Sequence, residues 1–175
     1  ALDRRWEHIE RRGRGRLHGL PPPLLQLRLQ PHRQAGLQPD PGACAAVWQR
    51  VMDLQKSRPS AVNQFLSDHP ADDSRRDTYV KKLTQYSDGH VTAQDGIIKV
   101  NTQVFATPAA AGGMSAKERS YFVMGNLSAA YHNGQAKNAA TTDGNTVMLG
   151  SQPIMTCVAG DEDADTLAQR LNKIK

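Results

Sequence analysis

Apolar positions along this chain recur first with a helical period and then with a strand period. From Cys44 they fall at Val47, Trp48, Val51, Met52 and Leu54, in steps of about three and four that mark one face of a helix. The spacing predicts an amphipathic helix over 43–56, closed by Ser57-Arg58-Pro59 because proline cannot continue the ladder. A second helix is predicted over 73–86, with Asp72 or Asp73 as N-cap and Tyr79, Val80, Leu83 and Tyr86 on its apolar side. The period then drops to two. Val91-Thr92-Ala93 and Ile97-Ile98-Lys99-Val100 flank Asp95-Gly96, a pair suited to the positive φ of a tight hairpin turn. The second strand is expected to run on to Phe105.

Beyond Gly112-Gly113, Ser115-Ala116-Lys117-Glu118 has the form of a capping box, in which serine and glutamate satisfy each other's orphan backbone donors. It opens a predicted helix over 116–132, closed by Asn133-Gly134. Residues 135–146 are polar and read as a loop. Val147-Met148-Leu149 and Ile154–Val158 read as short strands, and a last helix starts at Asp161 or Asp163. Together the pattern predicts an α+β fold, a helix-rich body with a small antiparallel hairpin or sheet.

Composition divides the chain. Residues 1–40 hold eight arginines, no lysine and four acids, with Pro21-Pro22-Pro23 and several glycines. The remaining residues hold 14 bases against 13 acids, so the net charge of +5 belongs almost wholly to the first segment. Residues 1–40 therefore read as an Arg/Pro-rich arm, disordered, loosely docked or non-native in origin, and 41–175 as a single α+β domain. A nearly neutral body argues against a basic nucleic-acid-binding fold, and leaves nucleic-acid binding only to the arm. No apolar run approaches the roughly 18–20 residues of a membrane span, so no transmembrane segment is expected. No apolar h-region of a secretory signal is visible, although a mature chain would have lost one.

Two cysteines, Cys44 and Cys157, do not form a CxxC motif. They are open to two readings: one disulfide in an oxidising compartment, or two unrelated buried thiols. The acidic run Asp161–Asp165 fails the calcium-loop pattern, because its sixth position is Thr166 and its twelfth is Asn172. It reads instead as helix capping. No GxSxG, P-loop or GxGxxG is present.

One stretch carries more information. Asp40-Pro41-Gly42-Ala43 leads into Val47-Trp48-Gln49-Arg50-Val51-Met52, followed by Phe65-Leu66-Ser67-Asp68-His69-Pro70 and the pair Arg75-Arg76. In order and spacing this resembles the last part of M48-family zinc metallopeptidase domains, over roughly residues 36–84. The resemblance implies that His69, Arg75 and Arg76 lie beside a catalytic cleft, with His69 presented by a proline-fixed bend. It also implies a zinc-dependent endopeptidase ancestry, protein or peptide partners, and a periplasmic or secreted setting.

The zinc site itself does not follow. The family binds zinc through HExxH on a helix plus a downstream glutamate. None of the six histidines, His8, His18, His32, His69, His90 and His132, precedes a glutamate, and no two stand four apart. Ser115–Glu118 with Phe122-Val123-Met124-Gly125 is similar to the helix that leads into HExxH, but Asn126-Leu127-Ser128-Ala129-Ala130 follows. No cofactor is identifiable, and zinc is expected only if the family activity survives. The expectation is a metallopeptidase-related protein without a recognisable zinc site, inactive or a partial domain. A non-enzymatic structural or interaction module is the alternative, and nucleic-acid binding through the arm a second.

Overall fold

Hydrophobic spacing translates into four helices and six strands among the described residues. The computed structural model describes residues 40–57 and 73–175, which belong to a unit spanning Gln38–Lys175. The arm predicted over 1–40, save Asp40, and the His69-Pro70 bend lie outside them. Helix α1 is Ala43–Ser57 and α2 is Asp73–Tyr86. Strands β1 (Val91–Gln94), β2 (Ile97–Val100) and β3 (Gln103–Ala106) follow, then α3 (Ala116–His132). Strands β4 (Ala140–Asp143), β5 (Thr146–Leu149) and β6 (Gln152–Thr156) precede α4 (Ala164–Ile174). The class is α+β, as the pattern predicts.

The strands form two antiparallel three-stranded meanders, β1-β2-β3 and β4-β5-β6. Asp95 and Gly96 both have positive φ, 52° and 86°, and close the first hairpin with Gln94 opposite Ile97. The expected long second strand is in fact two strands. Asn101 and Thr102, at φ 48° and 71°, form another two-residue turn that pairs Val100 with Gln103. Without a glycine that turn left no mark in the sequence, and Thr102 adopts a backbone that β-branched residues rarely take. The expected loop over 135–146 is likewise partly strand. A short 3-10 turn, Gln135–Lys137, leads into β4, and Gly144-Asn145 turns the chain into β5. Pro153 is tolerated because β6 lies at a sheet edge.

Alternation places Val91, Ala93, Ile98 and Val100 on the inner face of the first sheet. Helix α3 packs against α1, α2, β1, β2 and β6, and so is buried nearly all round. Tyr121, Val123, Met124, Leu127 and Ala130 join it to the core. Its capping box is realised, with Glu118 N–H on Ser115 Oγ and Ser115 N–H on Glu118 Oε2. Helix α4 lays Leu167, Ala168, Leu171 and Ile174 across β3, β4 and β5.

Two glycines fix where α1 meets α3. A Cβ on Gly125 would lie 2.2 Å from the Gly42 nitrogen, and one on Gly42 would lie 2.0 Å from the Tyr121 carbonyl oxygen. The backbones touch, which only glycine at both positions allows. Asp40 Oδ1 accepts the Gly42 N–H at 2.8 Å beside this crossing. Burial raises the Asp40 carboxyl to about 6, partly offset by that hydrogen bond.

Candidate functional site

Helices α1 and α2 bring together the described pieces of the peptidase-like stretch. Arg75 lies over the Trp48 ring, 4.9 Å from its centroid. Arg76 turns inward, its side chain 18% exposed. Its Nη1 donates to Gln49 Oε1 at 3.3 Å and lies 3.8 Å from Met52 Sδ, and its Nε donates to Asp77 Oδ1 at 2.8 Å. His69 lies outside the described residues, so the site predicted around it is seen only through its arginines.

Sequence reasoning missed what lies beneath Arg76. Gln49 is buried and donates to Asp53 Oδ1 at 2.8 Å. Asp53 Oδ2 accepts from Ser115 Oγ at 3.0 Å, and Ser115 belongs to the capping box with Glu118. Arg50 Nε pairs with Glu118 Oε1, and its Nη2 reaches the Gly113 carbonyl at 2.8 Å. A continuous polar seam thus ties α1, α2 and the start of α3. Only the capping box within it has a sequence signature. The apolar stripe read from Cys44, Val47 and Leu54 is not the buried face of α1. Those three are exposed, and the helix buries Ala45, Ala46, Gln49 and Met52, because the face turned to α2 and α3 is closed by small residues and by the polar seam.

Above the seam runs a groove of about 550 Å³. Arg76, Asp77 and Val80 of α2 form one wall, and Ala93 and Gln94 of β1 form the other. Lys117 and Tyr121 of α3 supply the floor. Burial keeps the Tyr121 phenol above its ordinary range, so it stays a neutral hydroxyl. Lys117 Nζ pairs with Asp95 at 3.0 Å, and Arg76 Nη2 pairs with Asp77 at 2.7 Å. Among the described residues the lining holds no histidine, cysteine or glutamate, and both aspartates are in ion pairs. Such a lining offers donors, acceptors and charge, but no activated nucleophile beside a base.

The remaining candidates resolve into structure. Cys44 is an exposed thiol and Cys157 a buried one, and they are not joined. Burial, reinforced by Asp161, raises the Cys157 thiol, which disfavours the reactive thiolate. In the acidic run, Asp163 caps α4 by accepting from Thr166 N at 2.8 Å. Glu162 pairs with Arg170, and Asp161 is buried against Arg119. His90 Nδ1 lies 2.6 Å from Asn101 Oδ1, and His132 stacks on Tyr86 with centroids 4.0 Å apart. Among the described residues no three His, Cys, Asp or Glu side chains are grouped to hold a metal ion. Among them, too, no helix is long and apolar enough to cross a membrane.

The site and fold together define a small α+β unit with a polar groove between a helix and a sheet edge. Compared with protein-family models, curated proteins and solved structures, the chain has no significant match.

Proposed function

We propose that this chain is a metallopeptidase-related protein that binds polypeptide and does not hydrolyse it. The kinship rests on the order and spacing of Asp40–Ala43, Trp48, Met52, His69-Pro70 and Arg75-Arg76. The observation that carries the binding reading is the groove. It is large enough for several side chains, it is lined by two ion pairs, Lys99 and hydroxyls, and among the described residues it lacks a nucleophile–base couple. Arg76, from the peptidase-like stretch, stands at its wall and is anchored by Gln49. Arg75 and Arg76 then position peptide and helix rather than a reacting bond. The interaction-module alternative differs only in ancestry.

Metal analysis of the purified chain by mass spectrometry, with casein cleavage measured with and without chelator, tests the reading. The expected result is neither stoichiometric zinc nor chelator-sensitive cleavage, with saturable binding of unfolded casein. Stoichiometric zinc with chelator-sensitive proteolysis would overturn it.

A further inference from the structure

Helix side chains take backbone groups on three of the four sheet edges among the described residues, and on the fourth, β1, an outward backbone pair lies beside the groove. At β3, Arg170 of α4 donates to the Phe105 carbonyl at 2.8 Å. At β4, the Asn172 amide takes both the Ala140 N–H and its carbonyl, each at 2.8 Å. At β6, Asn126 and Arg119 of α3 donate to the Ile154 and Thr156 carbonyls at 3.2 and 3.1 Å. Natural sheets cover their edges in this way because an open one recruits another strand.

Strand β1 is partly capped in the same way, but its remaining outward pair meets the groove. Its register, with Gln94 opposite Ile97 and Thr92 opposite Lys99, turns the backbone groups of Thr92 and Gln94 toward β2. Those of Val91 and Ala93 point outward. Ser87 Oγ accepts the Val91 N–H at 3.0 Å. Ala93 carries the next outward pair, and it lines the groove. A helix wall, a strand edge and an open channel between them are the parts that admit an added β-strand.

The charges select the occupant. The groove is lined by the cations Arg76, Lys99 and Lys117 against the carboxylates Asp77 and Asp95. Each carboxylate is held in an ion pair, with Arg76 or Lys117, while Lys99 has no ion-pair partner among the described residues. Lys99 stands directly opposite Thr92 on the exposed sheet face and lines the groove. A strand added to β1 lies two strand spacings, about 9.6 Å, from β2, so an acidic side chain on it meets the ammonium across Thr92. An acidic side chain there meets an unpaired ammonium, whereas a basic one meets like charge.

We propose that the groove binds an extended acidic peptide segment as an added strand on β1, hydrogen-bonded to the Ala93 backbone and charge-matched to Lys99. This rests on the polypeptide-binding reading above and names its site and ligand class. The four residues of β1 offer room for about four residues of peptide at about 3.3 Å each.

Amide exchange of the whole chain, followed by NMR, tests it with a fluorescent peptide of about six residues alternating glutamate and valine. Saturable binding is expected, with exchange at Ala93 slowed about tenfold or more. Replacing the glutamates by lysine, or introducing Lys99→Glu, is expected to weaken binding about fivefold or more. Saturable binding with Ala93 exchange unchanged, or equal affinity for the lysine peptide, overturns the edge proposal and leaves the broader reading standing. If neither this peptide nor casein binds, both fall. A peptide-free dimer with Ala93 already protected also overturns the proposal, because a second copy then fills the edge.

Discussion

Asp161→Ala is expected to be the most damaging single substitution in the body of the protein. Asp161 and Arg119 form an ion pair whose side chains are 0% and 8% exposed. The carboxylate accepts four hydrogen bonds. Two come from Arg119, Nη1 at 3.0 Å and Nη2 at 2.8 Å, and two from the Ala109 and Val158 backbone at 2.6 and 2.9 Å. The guanidinium also donates to the Ala109 and Thr156 carbonyls. One pair of side chains therefore ties the loop before α3, the end of β6 and the approach to α4. Removing the carboxylate strands a buried cation and two backbone N–H groups. Breaking such a pair from one side costs about 3–5 kcal/mol, and each orphaned donor about 1–3 kcal/mol within that figure. A loss of about 4 kcal/mol is expected, and a fall in Tm of about 12 °C or more for a domain of this size.

Urea unfolding followed by circular dichroism measures the loss. A double-mutant cycle with Arg119→Met separates the pair from its surroundings. The double variant is expected to be less unstable than Asp161→Ala alone, because no unpaired charge remains. The same pair predicts an acid limb. Burial alone raises the Asp161 carboxyl, but hydrogen bonds from Arg119, Ala109 and Val158 outweigh it and the net shift is downward. A lowered carboxyl contributes stability above its unfolded value of about 3.9 that is lost as pH falls through its folded value. Wild-type stability should therefore fall below about pH 4, and Asp161→Asn should flatten that limb. A cost under about 1 kcal/mol for Asp161→Ala would refute the reasoning, since that is the worth of a solvated surface pair.

Two further substitutions test backbone geometry, and a third tests a partly buried carboxyl. Gly125→Ala forces a methyl to 2.2 Å from the Gly42 nitrogen, so α1 must shift, with an expected loss of about 2–3 kcal/mol by denaturant titration. Thr102→Gly relieves a β-branched residue at φ 71° and completes an asparagine–glycine turn pair, with an expected gain of about 0.5–1 kcal/mol in the same assay. Asp40, raised to about 6, contributes stability that is full below its unfolded value and is lost as pH rises through its folded one. Wild type should therefore lose on the order of 2 kcal/mol between pH 4 and pH 7, and Asp40→Asn should abolish that slope; an unchanged slope would refute the assignment.

How much of this was legible follows from the range of each interaction. Helix boundaries were readable because the signals are local. The Ser115–Glu118 box and Asp163 before Ala164 each act within about one turn, whereas the apolar steps along α1 located the helix but not its buried face. The Asp95-Gly96 hairpin was readable because glycine advertises positive φ. Asn101-Thr102 was not, because threonine there is held by the pairing around it rather than by its own preference. The second sheet was hidden for a related reason. Strand β4, Ala140–Asp143, is polar because its outward groups are satisfied by Asn172 and Asp165 of α4, far along the chain.

The site divides on the same line. Arg75 and Arg76 could be singled out because the stretch around them has a recognisable order, and they do meet α1 through Trp48 and Gln49. The groove could not be read, since its walls come from α2, β1 and α3, three elements that no spacing links. Nor could the difference among sheet edges. Whether a strand edge is closed depends on which distant side chain reaches it, Asn172 for Ala140 or Arg170 for Phe105. Sequence periodicity reports which way a side chain faces, whereas pairing along a strand edge turns on which backbone groups point outward in the plane of the sheet. In that strand, buried parity and open parity fall on the same residue. Ala93 directs its methyl into the core and its N–H and carbonyl toward the groove. A residue that reads as ordinary core packing is thus the one through which the proposed partner strand would be held.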